Sequence, residues 1–135
     1  MKNLFRGVLM ALAFVSANVL AGATEPQPVV IDTEGRTAQG DMVTARTADN
    51  LLEDIGCGIR VFDIDPVVKL GFCQAREASG QIATCITENP EMVDVIASLN
   101  DASFISFSWN DSSFCTRIGV STQSWYLPKS DKGNK

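Results

Sequence analysis

Apolar and polar residues alternate most regularly near the end of the chain. There Ser103-Phe-Ile-Ser-Phe-Ser-Trp109 and Phe114-Cys-Thr-Arg-Ile-Gly-Val120 flank Asn110-Asp-Ser-Ser113. Period-two alternation on both sides of a short Asn/Asp/Ser cluster predicts a β-hairpin. Nesting the strands about Asp111-Ser112 pairs Trp109 with Phe114, Phe107 with Thr116, Ile105 with Ile118 and Ser103 with Val120. Opposed residues share a face. Ile105, Phe107, Trp109, Phe114, Ile118 and Val120 therefore collect on one side, and Phe104, Ser106, Ser108, Cys115, Arg117 and Gly119 on the other. A one-residue slip would set Phe107 against Arg117 and Trp109 against Cys115, mixing the two sets, so the pattern selects the register.

Upstream, Val67 to Glu77 and Gln81 to Thr87 form a second predicted hairpin. Its loop, Ala78-Ser79-Gly80, offers a glycine for the left-handed position. That loop length opposes Cys73 to Cys85 and Ala75 to Ala83, with Phe72 against Ile86 and Arg76 against Ile82 on the other face. Cys57 to Phe62 reads as the strand before it, and Asp63-Ile-Asp-Pro66 as the turn between, because Pro66 cannot continue a central strand. Asn89-Pro90-Glu91 starts a helix, with Asn89 as N-cap acceptor, Pro90 at the first helical position and Glu91 at the positive end. Met92, Val95, Ile96 and Leu99 give it an apolar side, and Asn100-Asp101 ends it. A shorter helix is expected after Thr47, with Leu51, Leu52 and Ile55 on its apolar side and Gly56 as its stop. The fold class is α+β: a small, mainly antiparallel sheet of about five strands in the order β-β-β-α-β-β, disulfide-stapled, with one main helix on one face. That helix is expected to cover Ile105, Phe107 and Ile118.

The ends carry different signals. Lys2 and Arg6, the apolar run Val8 to Val15 and Ala21-Gly22-Ala23 have the three regions of a secretory signal peptide, residues 1–23. The apolar run is too short to span a bilayer, so no stable membrane anchor is expected after cleavage. Residues 24–46 contain Pro26, Pro28, Gly35 and Gly40; Val29-Val30-Ile31 can add an edge strand, but the composition favours a flexible leader. A single domain is expected over 47–128, and a polar, disordered tail over 129–135. Removing 23 of the 135 residues leaves 112, and losing Lys2 and Arg6 moves the formal net charge from −5 to −7. That acidity argues against nucleic acid as a partner, which needs a concentrated positive patch.

Four cysteines, Cys57, Cys73, Cys85 and Cys115, follow the signal segment. An even count in a small exported chain implies two disulfides, with three connectivities open. Opposed residues of an antiparallel pair lie about 4.5–5.5 Å apart between Cα atoms, within bridging range. The hairpin register thus favours Cys73–Cys85, leaving Cys57–Cys115. The expected location is the periplasm or the extracellular medium.

Composition narrows the chemistry. The chain has no histidine, which removes Ser-His-Asp and Cys-His nucleophilic sites and histidine metal sites. The cysteines lack the C-x₂₋₄-C spacing of zinc knuckles, and no stretch follows the calcium loop pattern of an EF-hand; no metal and no cofactor is expected. Gly56-Cys57-Gly58 has neither continuation of a phosphate loop. Asp63-Ile64-Asp65, just before Pro66, is the carboxylate pair that a small hydrolase or lyase would use. A secreted inhibitor would need a longer ordered loop than Asn110-Asp-Ser-Ser113.

What remains is a surface. Ser106, Ser108 and Arg117 share a strand face, and Trp125-Tyr126 lies just beyond it; Tyr, Trp and Arg are the residues that dominate binding hot spots. These five form the candidate binding surface, for a protein or a small ligand. The element order between Thr47 and Leu127 is similar to that of the type III secretion chaperone-like fold; this likeness implies an α+β fold and carries no function with it. The expectation is an exported, non-enzymatic binding module.

Overall fold

The structure is a computed structural model that describes residues 23–127. The segment read as a signal peptide, up to Gly22, and the tail read as disordered, 129–135, lie outside the described residues. Among the described residues the order is β1 (Val30–Asp32), β2 (Thr37–Asp41), α1 (Met42–Thr47), β3 (Asp54–Phe62), β4 (Val68–Arg76), β5 (Ile82–Thr87), α2 (Pro90–Ala97), β6 (Phe104–Trp109) and β7 (Cys115–Ser121), closed by a 3₁₀ turn at Ser124–Tyr126. The class is α+β, as expected. The strands form two antiparallel sheets rather than one: β1-β2-β6-β7 and β3-β4-β5.

The β4–β5 hairpin has the expected register, with Cys73 opposite Cys85, Ala75 opposite Ala83 and Phe72 opposite Ile86. Gly80, at φ +89°, takes the left-handed position of the three-residue loop. The expected disulfides are nevertheless corrected, since the bridges are Cys57–Cys73 and Cys85–Cys115. Parity within the sheet supplies the reason. Glu77 donates its N–H to the Gln81 carbonyl at 3.0 Å, so every second pair from there, including Cys73 and Cys85, is a wide hydrogen-bonded pair. A residue of a central strand is then in a narrow, non-hydrogen-bonded pair on its other side. For Cys73 that neighbour is Cys57, directly opposite on β3 with a Cα–Cα distance of 4.0 Å.

The second correction concerns β6–β7. Asn110 Oδ1 accepts from the N–H groups of Ser112 and Phe114, both at 3.0 Å, and Asn110 donates its own N–H to the Phe114 carbonyl at 3.0 Å. This closes a three-residue loop with Ser113 left-handed at φ +60°. The loop imposes the one-residue slip that the apolar pattern disfavours, with Trp109 facing Cys115. A β-bulge cures the mismatch. Ser108 faces Arg117, Thr116 is left without a partner, and beyond it Phe107 meets Ile118 and Ile105 meets Val120. A bulge exchanges the two faces of the strand, so Cys115 joins Trp109, Phe107 and Ile118 on the core side instead of sharing Arg117's outer side.

The segment read as a flexible leader is folded. β1 is the edge strand that Val29-Val30-Ile31 allowed, β2 pairs with β6 in the middle of the sheet, and Ala38 and Asp41 are fully buried. Asp41 caps α1: its carboxylate accepts from the Thr44 N–H at 2.7 Å, the Thr44 hydroxyl at 2.6 Å and the Gln27 N–H at 2.8 Å. The helix expected after Thr47 is displaced. Thr47 ends α1 by donating its hydroxyl to the Val43 carbonyl at 2.8 Å, Leu51 is exposed, and β3 begins at Asp54.

α2 starts as the sequence indicates, with Asn89 Oδ1 accepting from Glu91 N–H at 2.9 Å and Met92 N–H at 3.4 Å. Its most buried residues are Val93 and Ile96. A Cβ on Gly71 would meet Ile96 Cδ1 at 2.7 Å, so the helix lies tightly on β4. The inner face of β4 and β5 is built from small residues, Gly71, Cys73, Ala75, Ala83 and Cys85; β3 adds Ile55 and Ile59, and the facing side of the other sheet supplies Ile105 and Phe107. Both sheets and α2 share this one core.

Two seams join the sheets. At one, Cys85–Cys115 crosses from β5 to β7 beside a single parallel bridge, Ile86 to Phe114. At the other, carboxylates satisfy the outward N–H groups along β1. Val29 donates to Glu53 Oε1 at 2.7 Å and Ile31 to Glu77 Oε2 at 3.1 Å. An edge strand whose donors are occupied is not a template for further pairing.

Candidate functional site

The five surface candidates divide. Ser106, Ser108 and Arg117 do lie on one outer face of β6–β7, and Arg117 Nε donates to Ser108 Oγ at 3.4 Å. Ser106 is buried opposite Gly119, whose missing side chain gives it room: a Cβ there would meet Ser106 Oγ at 2.8 Å. Tyr126 is buried too, stacked on Phe104 with ring centroids 5.6 Å apart and planes 18° from parallel. It therefore covers the outer face of β6. Trp125 lies against Tyr126 at 6.0 Å and is 36% exposed. Of the set, Arg117 and Trp125 offer free surface, at opposite ends of the five-residue stretch Phe104 to Ser108 of β6, about 14 Å apart along the strand.

The carboxylate pair Asp63 and Asp65 sits on the exposed tip between β3 and β4. Neither of two clefts found among the described residues includes these carboxylates. One, of about 360 Å³, lies between α1 and the start of β3 and contains Arg46, Glu53, Asp54 and Asp101. Two of its three acidic groups have structural work: Glu53 holds Val29 and Asn50, and Asp54 pairs with Arg76 at 3.5 Å. The other, of about 410 Å³, is walled by Val43, Thr47, Asp49, Trp125 and Leu127. It brings one carboxylate, a tryptophan and hydroxyls together, without a paired acid and base. Among the described residues no group of three or more carboxylates or thiols is placed to hold a metal.

One open apolar surface lies outside the sequence candidates: the outer face of β3-β4-β5. By register this face carries Arg60 and Phe62 from β3, Val68, Leu70 and Phe72 from β4, and Ile82 and Ile86 from β5, with Asp54, Gln74, Arg76 and Thr84 toward the Ala78-Ser79-Gly80 loop. Phe114 adjoins Ile86 through the bridge. Phe62 is 46% exposed, Ile82 55%, Ile86 39% and Phe114 47%. At the centre the Phe72 ring lies across Gly58, where a Cβ would come within 2.7 Å of the ring. The Arg60 guanidinium stands 5.1 Å from the same ring centroid, a cation–π arrangement. Arg76 is matched by Asp54, which leaves Arg60 as the uncompensated charge of the strands here. The hydrophobic alternation held the clue, because Phe72 and Ile86 oppose each other on the face away from the cysteines. What the sequence leaves open is which face the core occupies: the small cysteine face takes the helix, and the large apolar face is left to solvent.

No protein-family model, curated protein or solved structure matches this chain.

Proposed function

We propose that the chain is a non-enzymatic interaction module of an oxidising compartment, exported to the periplasm or the medium, and that it binds through the outer face of β3-β4-β5. The observation that carries this reading is the uncovered row of large apolar side chains on that face, organised around the Arg60–Phe72–Gly58 stack. Contiguous exposed apolar surface of this kind marks interaction sites in soluble proteins. Two disulfides are consistent with an oxidising environment, and they brace the sheet from its inner side, leaving the outer side free.

Site-specific photo-crosslinking tests the assignment. Thr84 is exposed in the middle of the face, and Gln39 is exposed on the outer face of the other sheet. A crosslinker at Thr84 is expected to give one defined adduct in the native compartment, lost on Phe114→Ser, and one at Gln39 none. Adducts from Gln39 or Trp125 with none from Thr84 would move the site to the Arg117 side of the molecule.

A further inference from the structure

We infer that the partner of this face is a second copy of the chain, in an isologous two-fold dimer that packs sheet on sheet; the inference rests on the reading just given. The charge pattern favours it. Three strands of up to nine residues make a surface about 30 Å long and about 14 Å wide, with Phe114 at its rim. That is about half of the roughly 800 Å² which a standard interface takes from each partner, so the dimer is a weak, concentration-dependent one.

From the row of Leu70 to the row of Gln74 the register makes the face complementary to itself. A two-fold axis lying in the interface parallel to β4 sets β3 of one copy over β5 of the other, row on row. Arg60 stands in the row of Leu70. Continuing the β4–β5 pairing by one residue puts the exposed Glu88 in that same row, on the opposite side of β4. The axis therefore brings Arg60 over the partner copy's Glu88, and Glu88 over its Arg60. In the next row Ile86 comes over the ring of Phe72 that spans Gly58, and Gly56, with nothing within 4 Å of its Cβ position, leaves a hollow for the opposing Thr84. An isologous contact requires this kind of self-matching, in which residue i meets j and j meets i.

Sedimentation equilibrium of the oxidised chain over micromolar to high-micromolar concentration is the test. The wild type is expected to dimerise, and Ile86→Asp and Phe114→Asp each to weaken the dimer by more than about tenfold with far-UV circular dichroism and disulfide map unchanged. Arg60→Glu alone and Glu88→Arg alone are each expected to weaken it by about tenfold, and the double swap to restore it to within about threefold. Loss of the Arg60–Phe72 stack alone could not be rescued at Glu88. A dimer indifferent to Ile86→Asp, or a double swap no better than either single, overturns the arrangement. A monomer at every concentration that still yields a Thr84 crosslink to another protein overturns the second copy and leaves the binding face standing. A monomer with no Thr84 adduct overturns both.

Discussion

Removing the two disulfides one at a time separates what each contributes. Chain-entropy arithmetic makes them nearly equal: bridging across 16 residues at Cys57–Cys73 is worth about 3.1 kcal/mol, and across 30 at Cys85–Cys115 about 3.6 kcal/mol. The native surroundings differ far more. Cys57 and Cys73 lie within a nine-pair ladder that holds β3 to β4 without them. Cys85 and Cys115 tie two sheets whose other link at that seam is one bridge, Ile86 to Phe114, with the Ile86 N–H donated to the Ser113 carbonyl at 3.0 Å. The double variant Cys57→Ala/Cys73→Ala is therefore expected to lose about 3 kcal/mol, the entropic share alone. Cys85→Ala/Cys115→Ala is expected to lose about 4–5 kcal/mol, because the seam loosens as well. Against a total of about 5–15 kcal/mol for a domain this size, the second variant should be partly unfolded near body temperature. Urea unfolding followed by far-UV circular dichroism measures both. An equal or larger loss from the Cys57/Cys73 variant refutes the seam argument. Recovery of a Cys73–Cys85 peptide from unreduced wild type refutes the parity argument beneath it.

Two further outcomes bear on the local devices. Asp41→Ala leaves the Thr44 N–H, the Thr44 hydroxyl and the Gln27 N–H without their acceptor; the expected loss is about 2–4 kcal/mol, read as a fall in thermal midpoint of about 10–25 °C, and a fall of less than about 5 °C would show the cap to be dispensable. Deleting Thr116 takes out the one residue of β7 that has no partner across the bulge, which converts the bulge to a regular ladder and keeps Cys115 on the core side; thiol titration under denaturing conditions should find no free cysteine, and two free thiols would contradict the assignment.

Elements whose signals are local are legible in the chain. Asn89-Pro90-Glu91 starts a helix because a cap acceptor, a residue without an N–H and a negative charge all satisfy the same helix end. The Ala78-Ser79-Gly80 loop sets the β4–β5 register because only glycine takes the left-handed position there without cost. Apolar alternation sorted Ile105, Phe107, Ile118 and Val120 onto one face, and the two-residue shift in their pairing preserves that sorting, since side chains alternate with period two. Residues 24–46 were hidden because their ordering is distant: β2 is held by β6, and β1 by β2 and the carboxylates of Glu53 and Glu77, none of which has a local signature. Tertiary structure alone decided the disulfides and the free face. Cys73 has a cysteine opposite it on both sides, and the alternation of wide and narrow pairs chose Cys57. A single unpaired residue, Thr116, turned Cys115 inward to meet Cys85. Because the small cysteine face admits α2 so closely, the larger apolar side chains Phe62, Phe72, Ile86 and Phe114 are left on the outside, where the proposed interaction lies.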